Sequence, residues 1–275
     1  MGARLPPLLV AAERVAATVA QGVHGRRRTG QGESFWQFRP FTAGDPVARI
    51  DWRQSAKSDR SFVRETEWEA AQTVYVWRDG SASMDWRSGT AVPFKQERAD
   101  LLLLALSALL LRGGERVRLL GGPAGLRGGR AALDGIAEAM EQVPPGDGMP
   151  GPAALPRHAR VVLIGDFLSP LAAIRRDVGA LAAIPVRGHL LQVLDPAEAL
   201  LPYSGRVRFQ GLEQETDAVV PRVEGIRALY ADALAAQVDG LSSLCAAAAW
   251  GFGTHRTDHP PEAALMALYA ALSTP

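Results

Sequence analysis

Apolar residues change their spacing several times along the chain, and each change marks an element. After Pro6 and Pro7 they recur at helical spacing to about Gln21, where Gly22, Gly25 and the polar run "RRRTGQGES" end the pattern. A short helix and an exposed loop follow from this. "SFWQFRPF" has the pattern of a strand, "TAGDP" that of a turn, and "SFVRETEWEAAQTVYVW" that of extended chain rich in aromatic and β-branched residues. Five of the six tryptophans fall between Trp36 and Trp86. Packing of this small β region against the main body accounts for them, because buried aromatics contribute heavily to cores; part of the set is left as an interaction face.

From Val74 onward, strand-like and helix-like runs alternate. "TVYVW" precedes "FKQERADLLLLALSALLLRGG", a helix closed by Gly113 and Gly114; "ERVRLLGG" and "ALDGIAEAMEQV" are the next strand and helix. After the loop "PPGDGMPGPAALP", the run "ARVVLIGDF" is almost unbroken in its apolar character, as in a strand buried on both faces of a parallel sheet. "PLAAIRRDVGALAAI" supplies a helix, "VRGHLLQVLD" a strand and "GRVRFQGLEQETDAVV" a hairpin. Ile226, Leu229, Leu234, Leu241 and Leu244 stripe a long helix, and a last one starts near Pro261. The alternation predicts an α/β fold with a doubly wound, mostly parallel sheet, plus an N-terminal helix and a small β-rich extension. The expected division is residues 1–70 for that helix and extension and 71–275 for the α/β domain.

Length and composition are consistent with this. A chain of 275 residues that is 47% hydrophobic can bury a large core. Thirty basic and twenty-nine acidic side chains leave a formal charge of +1, so no global field draws the chain to nucleic acid or to an anionic membrane. All but two of the basic residues are arginine, the exceptions being Lys57 and Lys95; coding bias accounts for this. The single Cys245 excludes an internal disulfide and a thiolate-rich zinc site, which suits a reducing compartment. Glu13 and Arg14 interrupt the first apolar run, and the stretch from Leu101 to Leu111 is about half of what a bilayer crossing needs. These features predict a cytoplasmic protein with no membrane insertion.

Candidate chemistry gathers where two strands end. Asp79, Ser81 and Ser83 alternate along the loop "DGSASM", so that three oxygens turn toward one spot while Gly80 and Ala82 keep bulk away. A hard cation suits such a set, since magnesium takes oxygen ligands at about 2.0–2.1 Å and retains waters. Asp166, at the end of "VVLIGD", adds a second carboxylate, and both acids are expected to share a solvent-reachable hollow at the carboxyl ends of adjacent strands. Two other readings stay open. Asp79 caps a turn, with the serines bonding nearby amides; or Asp79 is a phosphoryl-accepting nucleophile, although Ser81 stands where that chemistry places a second carboxylate.

The loop "DGSASM" after a strand, with "VVLIGDF" later, resembles the metal-ion-dependent adhesion site of von Willebrand factor type A domains, whose first loop reads Asp-x-Ser-x-Ser. "GESFWQFRPFTAGDPVARIDWRQSAKSDRSFVRE", residues 32 to 65, resembles the signature of the domain of unknown function 58 family, bacterial proteins that join such a segment to a type A-like domain. Gly44, Asp45, Arg49, Ile50, Asp51, Trp52, Arg53 and Ala56 match its pattern position by position. The resemblance implies a type A-like fold, with Asp79, Ser81 and Ser83 as first-loop ligands of Mg2+ or Mn2+ and Asp166 as the later carboxylate. The family's middle-loop threonine has no counterpart, because no serine, threonine or tyrosine stands between Ser107 and Ser169. Water, Asp134 or Asp147 are the candidate substitutes; without one the ion is held weakly or not at all. Arg78 brings a competing guanidinium beside the site, but strand alternation points it to the opposite face.

By the same resemblance, the chain is expected to be a non-enzymatic protein-interaction module that works with a MoxR-type AAA+ ATPase in assembly or maturation. A metal-dependent phosphohydrolase using Asp79 is the rival. A third reading keeps the metal site vestigial and docks through the tryptophan-rich segment alone. Asp45, Arg49, Asp51, Trp52 and Arg53 are the partner-binding candidates, with charge pairing that also pins the β segment. "HGRRR", residues 24 to 28, reads as an exposed linker. His255 and His259 lack the helix that would align them as ligands, and "GGPAGLRGGR" lacks the lysine and hydroxyl of a phosphate loop. Cys245, on an apolar stripe, reads as buried and inert.

Overall fold

A computed structural model describes residues 5–23, 34–42, 45, 47, 50–58, 60–67, 72–122, 130–142, 146, 148–212 and 216–273. In chain order the elements are α1 (Leu5–Val23), β1 (Ser34–Pro40), α2 (Trp52–Ser55), β2 (Phe62–Glu67), β3 (Thr73–Arg78), α3 (Lys95–Arg112), β4 (Arg116–Leu119), α4 (Arg130–Gln142) and β5 (Arg160–Gly165). They continue with α5 (Leu171–Ala182), β6 (Arg187–Leu194), α6 (Pro196–Leu200), β7 (Val207–Phe209), β8 (Ala218–Val220), α7 (Arg227–Ala247), β9 (Gly251–Arg256) and α8 (Pro261–Ser273). Two compact units result: Met1–Gly25 with Gln72–Pro275, and Arg26–Ala71.

The larger unit is a mixed α/β structure around five parallel strands in the order β4-β3-β5-β6-β9, compatible with a doubly wound fold. The side-chain period of two explains its layers. Val74, Val76, Val162 and Ile164 face one apolar cluster with α1, α3, α4 and α8, while Trp77, Val161 and Leu163 face a second cluster with α5 and α7. Burial on both faces is why "RVVLIG" reads as a continuous apolar run. Among the described residues no helix is long and apolar enough to cross a membrane.

One boundary differs from the sequence expectation. Ala12, Val15, Ala16 and Val19 of α1 belong to the same buried cluster as α3 and α8, so α1 is part of the α/β body and not of the β-rich segment. The helix presents an apolar face, and the long apolar helix α3 covers it.

In the smaller unit, β1 and β2 pair antiparallel with a shift in register between Phe35 and Gln37, and Ile50 adds one bridge to Val63. Asp51 caps the single turn α2 by accepting from the Gln54 amide at 2.9 Å. The Ser55 hydroxyl ties that turn to β2, accepting from the Phe62 amide at 2.8 Å. Between "TAGDP" and "SFVRE" the sequence announces no element, because the helical turn at Trp52–Ser55 is too short to leave a periodic signal.

Candidate functional site

The order of the parallel strands places a switch between β3 and β5: the chain leaves β3 for β4 on one side and returns to β5 on the other. Open α/β sheets bind ligands in the crevice outside the carboxyl ends of strands at such a point. Asp79 follows β3 and Asp166 follows β5, and the Asp79 amide donates to the Ile164 carbonyl at 2.8 Å, continuing the ladder to the strand tips. Gly165 makes this approach possible, since a Cβ there would stand 2.8 Å from the Asp79 Cβ.

The predicted ligand set is brought together. Asp79 Oδ1 accepts from the Ser81 amide at 2.8 Å, the Ser81 and Ser83 hydroxyls lie 3.0 Å apart, and the Ser83 hydroxyl donates to Asp166 Oδ2 at 2.6 Å. Asp166 is held from behind, its carbonyl accepting from Gln192 Nε2 at 2.8 Å. The next residue, Phe167, takes a φ of 47°, a left-handed conformation seldom seen outside glycine, and its carbonyl accepts from Gln237 Nε2.

The hollow is not open to solvent as the sequence reading expects. Asp79 is 0% exposed, Ser81 3% and Asp166 4%, and only Ser83 is half-buried. Gly148, with a φ of 78°, closes part of this cover: a Cβ on it would lie 3.4 Å from Ser169 Oγ and 3.8 Å from Asp79 Oδ2. A glycine of the preceding loop thus stands over Asp79. Of the substitutes considered for the missing threonine, Asp134 is exposed on α4 and Asp147 lies outside the described residues.

A cation is nevertheless present, and sequence reasoning missed it. Lys95 opens α3 with a side chain that is 0% exposed, and its Nζ lies 2.9 Å from Asp166 Oδ2 and 2.5 Å from Glu198 Oε1. Burial works against that charge, but the Asp166 and Glu198 carboxylates outweigh it and hold the ammonium above its ordinary range. Glu198 is fixed in turn, because its other oxygen accepts from the Asp195 amide at 2.8 Å in the capping box of α6. Asp195, also buried, accepts from the Ala197 and Ser88 amides. The signal available in the sequence was composition: Lys95 is one of only two lysines in an arginine-rich chain. Lysine's slim stem and compact charge can be buried whole where a planar guanidinium needs a wider space.

Arg78, the cation the sequence does single out, behaves as strand alternation requires. Its Nε pairs with Asp100 Oδ1 at 2.7 Å and its Nη2 donates to the Met140 carbonyl, while its Nη1 reaches the loop only at the backbone carbonyl of Asp79, at 3.3 Å.

As arranged, the donor set does not fit a divalent ion. Asp166 Oδ2 already accepts from the Ser83 hydroxyl and the Lys95 ammonium. An ion placed on it would sit about 4 Å from that ammonium, a repulsion of roughly 8 kcal/mol at an effective dielectric near 20. The carboxylate oxygens that would offset such a term are already engaged, Asp79 Oδ1 by the Ser81 amide and Asp166 Oδ2 by Ser83 and Lys95. Among the described residues no group of three or more histidine, cysteine, aspartate or glutamate side chains is placed to hold a metal.

The other candidates separate into two kinds. Asp45 is engaged within its own unit: Arg39 forks onto both of its oxygens at 2.5 Å and Thr42 donates from its amide and hydroxyl, which together hold the carboxyl well below the usual range. Asp51 is a helix cap. Trp52 and Arg53 are exposed, Trp52 to 64%. Arg49 and the cluster at residues 24–28 lie outside the described residues. His255 is buried on β9 and His259 exposed beyond it. Cys245 is buried, and burial pushes its thiol up to about 11, as an inert core position requires.

Fold and site together define an α/β protein with a buried aspartate-serine-lysine network at the switch point of its sheet. The model of the family described as Protein of unknown function DUF58 matches residues 37–239, so the chain belongs to that family. Uncharacterized protein Rv1480 of Mycobacterium tuberculosis (strain ATCC 25618 / H37Rv) is 30% identical over 236 residues, 76% of this chain and 72% of the relative. Uncharacterized protein Mb1516 of Mycobacterium bovis matches with the same figures, 30% over 236 residues. Among solved structures, the conserved hypothetical protein BatB from Bacteroides thetaiotaomicron is similar at a TM-score of 0.41 and 17% identity, over 74% of this chain and 98% of that chain. That likeness is too loose to carry an argument.

Proposed function

We propose that the chain is a non-enzymatic protein-interaction module of von Willebrand factor type A-like architecture, and that the loops around Asp79 and Asp166 form its docking surface. One observation carries the reading: the ligand-like oxygens that follow β3 and β5 meet in a closed hydrogen-bonded network, which positions the surrounding loops and leaves neither Asp79 nor Asp166 exposed to react. At the edge of this network stand the half-buried Ser83 and Leu168, 40% exposed, whose amide donates to Asp166 Oδ1; Asp85, two residues after Ser83, is exposed. A rim of mixed polar and apolar groups on a rigid base suits a protein partner. A MoxR-type AAA+ ATPase is the partner that the family resemblance suggests, in assembly or maturation.

Against the phosphohydrolase reading stands the environment of Asp79. A nucleophile must reach the phosphorus of a bulky ester, and this carboxylate is 0% exposed, with one oxygen held by the Ser81 amide. The test is capture of a purified MoxR-type ATPase by the immobilised chain, alongside turnover of p-nitrophenyl phosphate. Capture by wild type, reduced in Asp79→Asn and in Leu168→Asp, with no turnover in any variant, is the expected result. Turnover that Asp79→Asn abolishes would replace this reading by the hydrolase.

A further inference from the structure

We infer that the Lys95 ammonium is a built-in cation that takes the place of a divalent metal at the Asp79–Asp166 site, so that the site is assembled, and its partner bound, without any metal ion. Three elements brought together only by folding carry the inference. Lys95 comes from the first turn of α3, Asp166 from the end of β5 and Glu198 from α6, and the Nζ lies within hydrogen-bond distance of both carboxylates while being wholly buried. Asp166 Oδ2 accepts from both Nζ and the Ser83 hydroxyl, and Ser83 meets Ser81, so the ammonium is linked to the same serine loop that an ion would organise. The charge is tethered by α3 itself, since the Lys95 amide donates to the Trp86 carbonyl at 3.1 Å and anchors the loop that runs on from the serines. A tethered cation is not lost by dilution or chelation. It also differs from an ion in having no vacant coordination position: at 0% exposure the ammonium cannot receive a partner's carboxylate, so the partner reads the rim and not a bridging charge.

This deepens the interaction reading and rests on it only for the statement about partner binding; the role of Lys95 itself is tested with no partner present. The probe is Mn2+, followed by the paramagnetic resonance signal of the free ion, with melting temperature recorded in EDTA and in millimolar Mg2+. Full-length wild type is expected to leave the free Mn2+ signal undiminished and to melt at one temperature in both buffers. Lys95→Met is expected to melt lower, to bind Mn2+ where wild type does not, and to regain part of its melting temperature when Mg2+ is added. Mn2+ binding by wild type that Ser83→Ala removes would overturn the inference. So would a Lys95→Met protein that melts with wild type, or one that melts lower yet gains no Mn2+, since the lysine would then be an ordinary ion pair. If Lys95→Met fails to fold, the wild-type titration decides. Should metal indifference hold while no MoxR-type ATPase is captured, the assignment of Lys95 stands and the interaction reading falls.

Discussion

Two aspartates, Asp166 and Asp45, each sit against a basic side chain at close hydrogen-bonding distance, yet they stand in opposite settings. Asp166 meets an ammonium with no solvent exposure, whereas Asp45 meets a guanidinium that is 33% exposed. In water a charge pair trades one set of hydrogen bonds for another and gains little. Buried charges have no such alternative, so removing one partner strands the other. Asp45, the acid of the charged segment "GDPVARIDWR", therefore forms the weaker of the two pairs, with an arginine outside that segment, and the pairing that matters links residues 71 and 103 positions apart.

The sharpest way to break this contrast is Lys95→Met, which leaves Asp166 and Glu198 facing each other in the interior. A loss of about 3–5 kcal/mol is expected, read from urea denaturation. Acidification comes next, because it reaches only one unit: residues 26–71 contain no histidine, while the larger unit buries His189 and His255. Burial lowers His189 to about 4, and burial together with the Arg98 charge lowers His255 to about 4. Both histidines are thus held below their unfolded value of about 6.5. The unfolded chain binds more protons between these values, so stability is complete above the unfolded pKa and falls as pH drops toward 4. From pH 7 to 5 this amounts to roughly 2 kcal/mol per histidine, and His189→Gln should remove about half of the slope in denaturation midpoints.

A smaller effect is expected of Gly165→Ala, whose Cβ would meet the Asp79 Cβ at 2.8 Å. Neither atom can swing aside, so about 1–3 kcal/mol of strain follows. Partner capture should fall with it, as measured on immobilised protein. Asp45→Asn should change the denaturation midpoint less than Lys95→Met does, and strong salt should shrink that change while leaving the Lys95→Met effect intact. Trp52→Ala, at a 64% exposed position, should keep stability within about 0.5 kcal/mol; reduced capture would show that the smaller unit contributes to docking.

Much of the fold was legible because its signals are local. The apolar stripe of α7, the twin glycines after α3 and the continuous run of β5 each report a period or a stop within one short window. Asp79, Ser81, Ser83 and Asp166 were legible for a related reason, since each stands at the end of a strand that its own neighbours announce. The five-residue α6 and the one-turn α2 escaped because neither is long enough to show a period. With α6 went Glu198, whose position depends on the cap made by Asp195.

By itself, then, the sequence determined where strands and helices alternate, which strand tips carry acids, and which residues line the sheet. It did not determine what faces those acids. Lys95 stands in the polar first turn of an apolar helix, and nothing near it in the chain marks its charge for burial. Only the packing of α3 and α6 against the end of β5 decided that an ammonium would occupy the space, because electrostatic energy depends on separation in space and on exclusion of water, and neither quantity exists until the chain is folded.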